Sequence, residues 1–150
     1  MSKQESVDCL IASLTEKERA FYAKALAGDP ESQIRMGLIA EDWSLYDYVV
    51  EWDRKAVVQG YLPAYIELGI LLEDHFQQDY EALDLFLYAA RHGKGRVLRN
   101  AITELFYCYD SAIMEESDLP KITDCLKELA EGGNEYAALL HKELIEKNNL

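Results

Sequence analysis

Four glycines, Gly28, Gly60, Gly93 and Gly133, stand 32, 33 and 40 residues apart, and the residues around them recur. Three positions before each glycine lies Ala25, Val57, Ala90 or Ala130, and four before it Lys24, Ala56, Ala89 or Leu129. Eight before it come Ala20, Trp52, Leu85 and Cys125, and four after it Ser32, Ala64, Val97 and Ala137. Offsets of −11, −8, −4 and −3 fall on one stripe of a 3.6-residue period, so an amphipathic helix is expected before each glycine. Glycine supplies the left-handed residue that ends it. A second helix follows, opened near Pro30 and Pro63 in the first two copies, where proline suits a first turn. Small residues on both sides of the turn let the paired helices approach closely. A helical hairpin repeated at this period is the pattern of an α-solenoid.

The spacing therefore predicts an all-α chain: one domain, residues 1–150, built as an α-solenoid of about four antiparallel helix hairpins. These fall near residues 16–42, 45–74, 79–110 and 118–147. Thr15 followed by Glu18 has the form of a capping box for the first repeat helix. Ser117-Asp118-Leu119-Pro120 opens the fourth hairpin, after an inserted loop from Ser111 to Asp118. Val7, Leu10, Ile11 and Leu14 have helical spacing and predict an N-terminal helix that caps the open end of the first hairpin. Residues 134–147 close the other end and turn polar at Glu146-Lys147-Asn148-Asn149. The apolar fraction, 49%, suffices for a buried core.

The segment YEALDLFLYAARHG (80–93) resembles the first helix of a Sel1-like repeat, with Ala82, Leu85, Ala89, Ala90 and Gly93 on the motif positions. EWDRKAVVQGYLPAYIELG (51–69) is similar to the following part, through Trp52, Ala56, Gly60, Ala64, Leu68 and Gly69. LAEGGNEYAALL (129–140) is a weaker match. The resemblance covers about residues 16–145, with a period closer to that of tetratricopeptide repeats. Ile102 and Lys142 replace the second motif glycine in the third and fourth copies. It implies protein–protein interaction or scaffolding without catalysis.

The residues by themselves point the same way. The sequence contains no phosphate loop, nucleophile elbow or paired-histidine zinc motif, so no enzyme activity and no cofactor is expected. Glu73-Asp74-His75 with Asp79 is the one local cluster that resembles a metal site, and it reads as a solvated helix end. His92 suits the last turn of its helix, where a cation complements the dipole, and His141 suits packing or capping. Cys9, Cys108 and Cys125 are too few and too scattered for a disulfide framework and are expected as buried thiols. A net charge of −13 disfavours direct nucleic-acid binding and an anionic membrane surface. The chain shows neither a signal-peptide pattern at its start nor an apolar run of membrane length, so a cytoplasmic protein is expected.

A basic protein or peptide is the expected partner. An adaptor or scaffold is the first reading, and a small acidic inhibitor, such as an immunity protein neutralising a basic toxin or nuclease, is the alternative. The offsets −12, −9 and −5 are assigned to the face opposite the core stripe. They place Tyr48, Glu51, Glu81, Asp84, Tyr88 and Asp124 on an outward acidic ladder with tyrosine anchors. A second candidate is the edge formed by the ends of the second helices: Glu41, Asp42, Glu73 and Asp74, with Trp43 and Tyr46 beside them. Arg91, Lys94, Arg96 and Arg99 predict a basic corner at the third turn. The chain is expected as a monomer, or as a homodimer through Trp43 and Tyr46.

Overall fold

Thr15 starts the first repeat helix as its sequence predicts. Its hydroxyl accepts from the Glu18 backbone N–H at 3.1 Å, and the Glu18 carboxylate accepts from the Thr15 N–H at 2.9 Å. Two donors left over at a helix start are satisfied at once, which fixes where α2 (Glu16–Leu26) begins. Ser2 and Glu5 form the same box before α1 (Lys3–Ala12). Asp29 caps α3 (Pro30–Asp42), its carboxylate accepting from Ser32 N–H at 2.8 Å. The carboxyl of Asp29 lies below its ordinary range because these Ser32 hydrogen bonds favour its charged form.

The helix ends explain the recurring glycine. Gly28, Gly60 and Gly133 have φ of +104°, +77° and +98°. At each, the residue after the glycine bonds back to a carbonyl five residues earlier: Asp29 to Lys24, Tyr61 to Ala56, Asn134 to Leu129. The glycine itself bonds three residues back, to Ala25, Val57 and Ala130. This paired closure needs a left-handed residue, and glycine adopts it without strain. Gly93 departs from the expectation. Its φ is −84°, the turn is extended there, and the left-handed residue is Gly95 at +54°. Gly93 is required for space instead: a Cβ would sit 2.5 Å from the Ala89 carbonyl oxygen and 3.1 Å from Val97 Cγ1.

The structure, a computed structural model, describes residues 1–111 and 114–148. Among the described residues all regular structure is helical. The predicted insertion at 111–118 falls partly outside them, at positions 112 and 113, as does Asn149 of the polar C-terminal run. The chain divides into two compact units, Met1–Leu71 and Leu72–Leu150.

In the first unit α2 packs on α3, α3 on α4 (Tyr46–Val58), and α4 on α5 (Leu62–Leu71). Its core holds Ala25, Met36, Ala40, Trp52, Ala56, Ala64 and Leu68. The small residues at the repeated offsets therefore serve the close helix approach that their size predicts. The buried amide of Gln33 donates to the Ala25 carbonyl at 3.2 Å and accepts from Gln59 at 2.9 Å, which ties the ends of α2, α3 and α4 together.

The second unit opens on a π-helical turn, Leu72–Phe76, packed on α6 (Asp79–His92). Here α6 packs on α7 (Gly95–Asp110), and α8 (Leu119–Glu131) packs on α9 (Glu135–Asn148), with α6 and α7 both touching α8. Phe86, Ala89, Ala90, Ala101, Ile102, Leu105, Ile122, Leu126 and Leu144 fill its core. Lys147 pairs with Asp110, joining the last turns of α9 and α7.

The N-terminal helix forms as α1, with Lys3 Nζ on the Glu51 carboxylate of α4 at 3.0 Å and the Arg19 guanidinium of α2 donating to the Ala12 carbonyl at 3.2 Å. A groove of about 280 Å³ on α2 and α3 is lined by Phe21, Arg35, Leu38 and Ile39, among others. One sequence expectation is corrected here. Cys9, expected buried, is exposed, because Val7 and Leu10 set the inward face of α1 and Cys9 lies off it. Cys108 and Cys125 are buried as expected.

Candidate protein-binding faces

The offset nine residues before each repeat glycine points outward throughout: Arg19, Glu51, Asp84 and Asp124 are all exposed. So is the offset five before, at Lys55, Tyr88 and Glu128. The offset twelve before is a boundary position, because it lies only one turn from the core offset at −8. Tyr48 is the correction this brings. It is 9% exposed and packs edge-on against Trp52, ring centroids 5.9 Å apart, so it is a core residue of the first unit and not an outward anchor. Glu81, at the same offset, is half-buried.

In the first unit Glu51 is the outward acid of α4, and Lys3 of α1 holds it. Tyr22 of α2 meets Trp52 edge-on at 6.3 Å, and the Lys55 ammonium lies 4.8 Å from the Trp52 ring centroid. Trp52 is 3% exposed, and its indole N–H finds no hydrogen-bond acceptor of ordinary geometry among the described residues. The Tyr48 hydroxyl stands close enough to feel that N–H, but burial dominates and pushes the phenol up.

In the second unit Asp84 and Tyr88 lie on α6 and Asp124 on α8. Tyr88 is 42% exposed and stacks on His92 with centroids 4.0 Å apart. The expected acidic face is charge-mixed here. Arg91 of α6 reaches Glu128 of α8 at 3.8 Å, and Lys121 bonds Asp118 at 2.7 Å within electrostatic reach of Asp84. Arg91, Lys94, Arg96 and Arg99 are all exposed around the α6–α7 turn, and Arg99 covers the Tyr136 ring at 4.3 Å.

The second candidate edge divides between the units. Glu41 and Asp42 end α3, both exposed, followed by Trp43 at 43% exposure and by Ser44, a left-handed residue at φ +55°. Tyr46 is half-buried at the start of α4. In the second unit Asp74 is exposed, while Glu73 is half-buried and accepts from the Cys108 thiol at 3.1 Å. Burial first, and then the negative Glu73, push that thiol well above its ordinary range. Among the described residues no group of three or more His, Cys, Asp or Glu side chains is arranged to hold a metal ion.

Sequence reasoning missed Asp53. It is 3% exposed on α4, seven residues before the repeat glycine, where the other copies place Phe21, Phe86 and Leu126. That offset adjoins −8 and −4 on the core stripe, so the signal was present: one carboxyl among large apolar groups. Gly37 makes room for it, since a Cβ there would lie 2.7 Å from Asp53 Oδ1. Desolvation, and then the charges of Glu67 and Glu41, push the Asp53 carboxyl up to about 8. Glu67 is raised as well, by loss of solvent around its carboxyl and by Glu41.

No family model matches the chain, and comparisons with curated proteins and with solved structures find no match. No helix among the described residues is long and apolar enough to cross a membrane.

Proposed function

We propose that the chain is a non-catalytic, cytoplasmic helical-repeat protein, an α-solenoid of about four Sel1- or tetratricopeptide-like hairpins, that binds a basic protein or peptide as an adaptor or scaffold. The observation that carries the reading is the division of labour within the repeat. Ala25, Ala56, Ala89 and Ala90 at the shared offsets are buried, whereas the −9 offset is exposed throughout and acidic at Glu51, Asp84 and Asp124. Exposed acids on helices favour encounter with a basic surface more than they add affinity. The net charge of −13 supports the same partner chemistry and also favours, as the second reading, an inhibitor of one basic toxin or nuclease.

The test is affinity capture from the native host with the full chain as bait beside a Glu51→Lys/Asp84→Lys/Asp124→Lys variant. The reading expects basic proteins on the wild-type bait, released by salt and depleted from the variant. One tightly held toxin or nuclease selects the inhibitor form, and several unrelated partners select the adaptor. Equal capture by both baits overturns the assignment of these acids.

A further inference from the structure

Charge is distributed unevenly along this chain. Between Leu85 and Thr103 stand four of its 15 basic residues, Arg91, Lys94, Arg96 and Arg99, and none of its 28 acids. The α6–α7 turn gathers the four, and all are exposed. Helix electrostatics accounts for Arg91, in the last turn of α6, where a cation complements the dipole. It does not account for the others. Lys94 and Arg96 stand at the N-terminal end of α7, where a cation is disfavoured, and no acid in the first turn of that helix offsets them. Arg96 and Arg99 are neighbours at helical spacing, so their like charges repel. The positions four further on, Asn100 and Thr103, carry no carboxylate. Nor does α8 or α9 neutralise the group. Arg91 reaches Glu128 only at 3.8 Å, with both side chains largely exposed. Arg99 lies over the Tyr136 ring, which steadies the guanidinium and leaves its charge uncompensated. Among the described residues the side chains of Lys94 and Arg96 enter no ion pair. The turn that carries them is tight on one side and open on the other. Gly93 is packed against Ala89 and Val97, whereas a Cβ at Gly95 would meet nothing within 4 Å.

We propose that this corner docks a short acidic segment of a second protein, a run of Asp and Glu whose carboxylates pair with Lys94, Arg96 and Arg99. The argument for the occupant is charge complementarity. Exposed cations with no internal counter-charge, set on a chain of net charge −13, fit a compact anionic group. Arginine takes a carboxylate through paired N–H donors, which adds direction to the attraction. A short segment fits better than a long polyanion. A nucleic acid or an anionic membrane that covered the corner would also meet the acids around it, such as Glu104 and Glu128, and be repelled by them. The surface is separate from Glu51, Asp84 and Asp124, and the proposal does not depend on the basic partner read from those acids. A chain that carries both surfaces can join an acidic protein to a basic one, which an inhibitor of a single basic target has no need to do.

The experiment follows, by fluorescence anisotropy, the binding of a labelled peptide of about ten glutamates to the full chain at about 50 mM salt. Lys94→Glu/Arg96→Glu should weaken binding at least about tenfold. Lys17→Glu/Lys24→Glu makes the same change of net charge at two exposed lysines of α2, and should leave affinity within about twofold of wild type. Arg96→Lys should retain more affinity than Arg96→Gln. Lys94 and Arg96 are exposed, so thermal melts of these chains should match wild type. No binding of the peptide to wild type, or equal losses in the two charge-reversed chains, overturns the proposal. A single-stranded oligonucleotide or a phosphatidylserine vesicle that binds wild type more tightly than the peptide, and is lost in Lys94→Glu/Arg96→Glu, overturns the acidic-protein occupant. Failure to capture any basic host protein, with peptide binding intact, overturns the reading of Glu51, Asp84 and Asp124 and leaves this corner standing.

Discussion

Replacing Asp53 with asparagine should make the protein more stable at pH 8 and leave it unchanged near pH 4. The folded chain raises this carboxyl from the ordinary 3.8 to about 8, through desolvation first and the charges of Glu67 and Glu41 second. Between those two values the folded state holds the proton that the unfolded state has released. Stability therefore falls as pH rises through this window, and levels off above it. The span is about 4 pH, and each pH unit is worth about 1.4 kcal/mol, so the full effect is on the order of 5 kcal/mol. That is a large share of the ~5–15 kcal/mol that holds an ordinary domain together. Asparagine keeps the shape and never ionises, so the variant loses this slope. Urea unfolding, read through Trp52 in a Trp43→Phe background, gives the stability of the first unit. At pH 8 the Asn variant should unfold at a midpoint about 2.5 M higher, for a slope near 2 kcal/mol per M. The raised Glu67 contributes with the same sign, and because its charge acts on Asp53 the difference reports Asp53 together with that coupling. A difference below about 0.5 kcal/mol from pH 4 to pH 9 would refute the reasoning, because Asp53 would then be ionised and hydrated in the folded chain.

Three further outcomes follow from the packing. Gly37→Ala should destabilise by ~1–3 kcal/mol, since its new methyl meets Asp53 Oδ1 at 2.7 Å, and Asp53→Ala should recover part of that loss in a double-mutant cycle. Ala89→Leu and Ala90→Leu should each cost ~1–3 kcal/mol by overpacking in the second unit, where both side chains are fully buried; unchanged thermal melts would place them off a helix contact. Gly133→Ala, at φ +98°, should cost ~1 kcal/mol through backbone strain with open space around the methyl, whereas Gly93→Ala should cost more through its clash with the Ala89 carbonyl; equal losses would contradict the two roles assigned to these glycines.

Local signals carried most of the fold. The Thr15–Glu18 box, the prolines at 30 and 120 and the glycines at 28, 60 and 133 act within a few residues, so their consequences are readable along the chain. Gly93 was misread because a glycine required for clearance and one required for a left-handed turn look alike in sequence. The π turn at Leu72–Phe76 has no local signature of that kind. The outward placement of Glu51, Asp84 and Asp124 followed from helical arithmetic, and Tyr48 failed it because its offset lies at the edge of the core stripe, where a large ring turns inward. The contact of α1 with α4 depends on Lys3 meeting Glu51 across 48 residues, which periodicity does not encode. Asp53 was overlooked because its offset, −7, was not counted with the core offsets −11, −8, −4 and −3, although it adjoins them.

The central claim is that the exposed acids of the first repeat helices recognise a basic partner. The most direct measurement is the dissociation constant of an isolated captured partner, at about 50 and about 300 mM salt, for wild type and for Asp84→Lys/Asp124→Lys, which leaves the Lys3–Glu51 contact untouched. The account predicts that the variant binds at least about tenfold more weakly at low salt and with a flatter salt dependence, while its far-ultraviolet circular dichroism matches wild type. Equal affinity at low salt, with the fold intact, would contradict it.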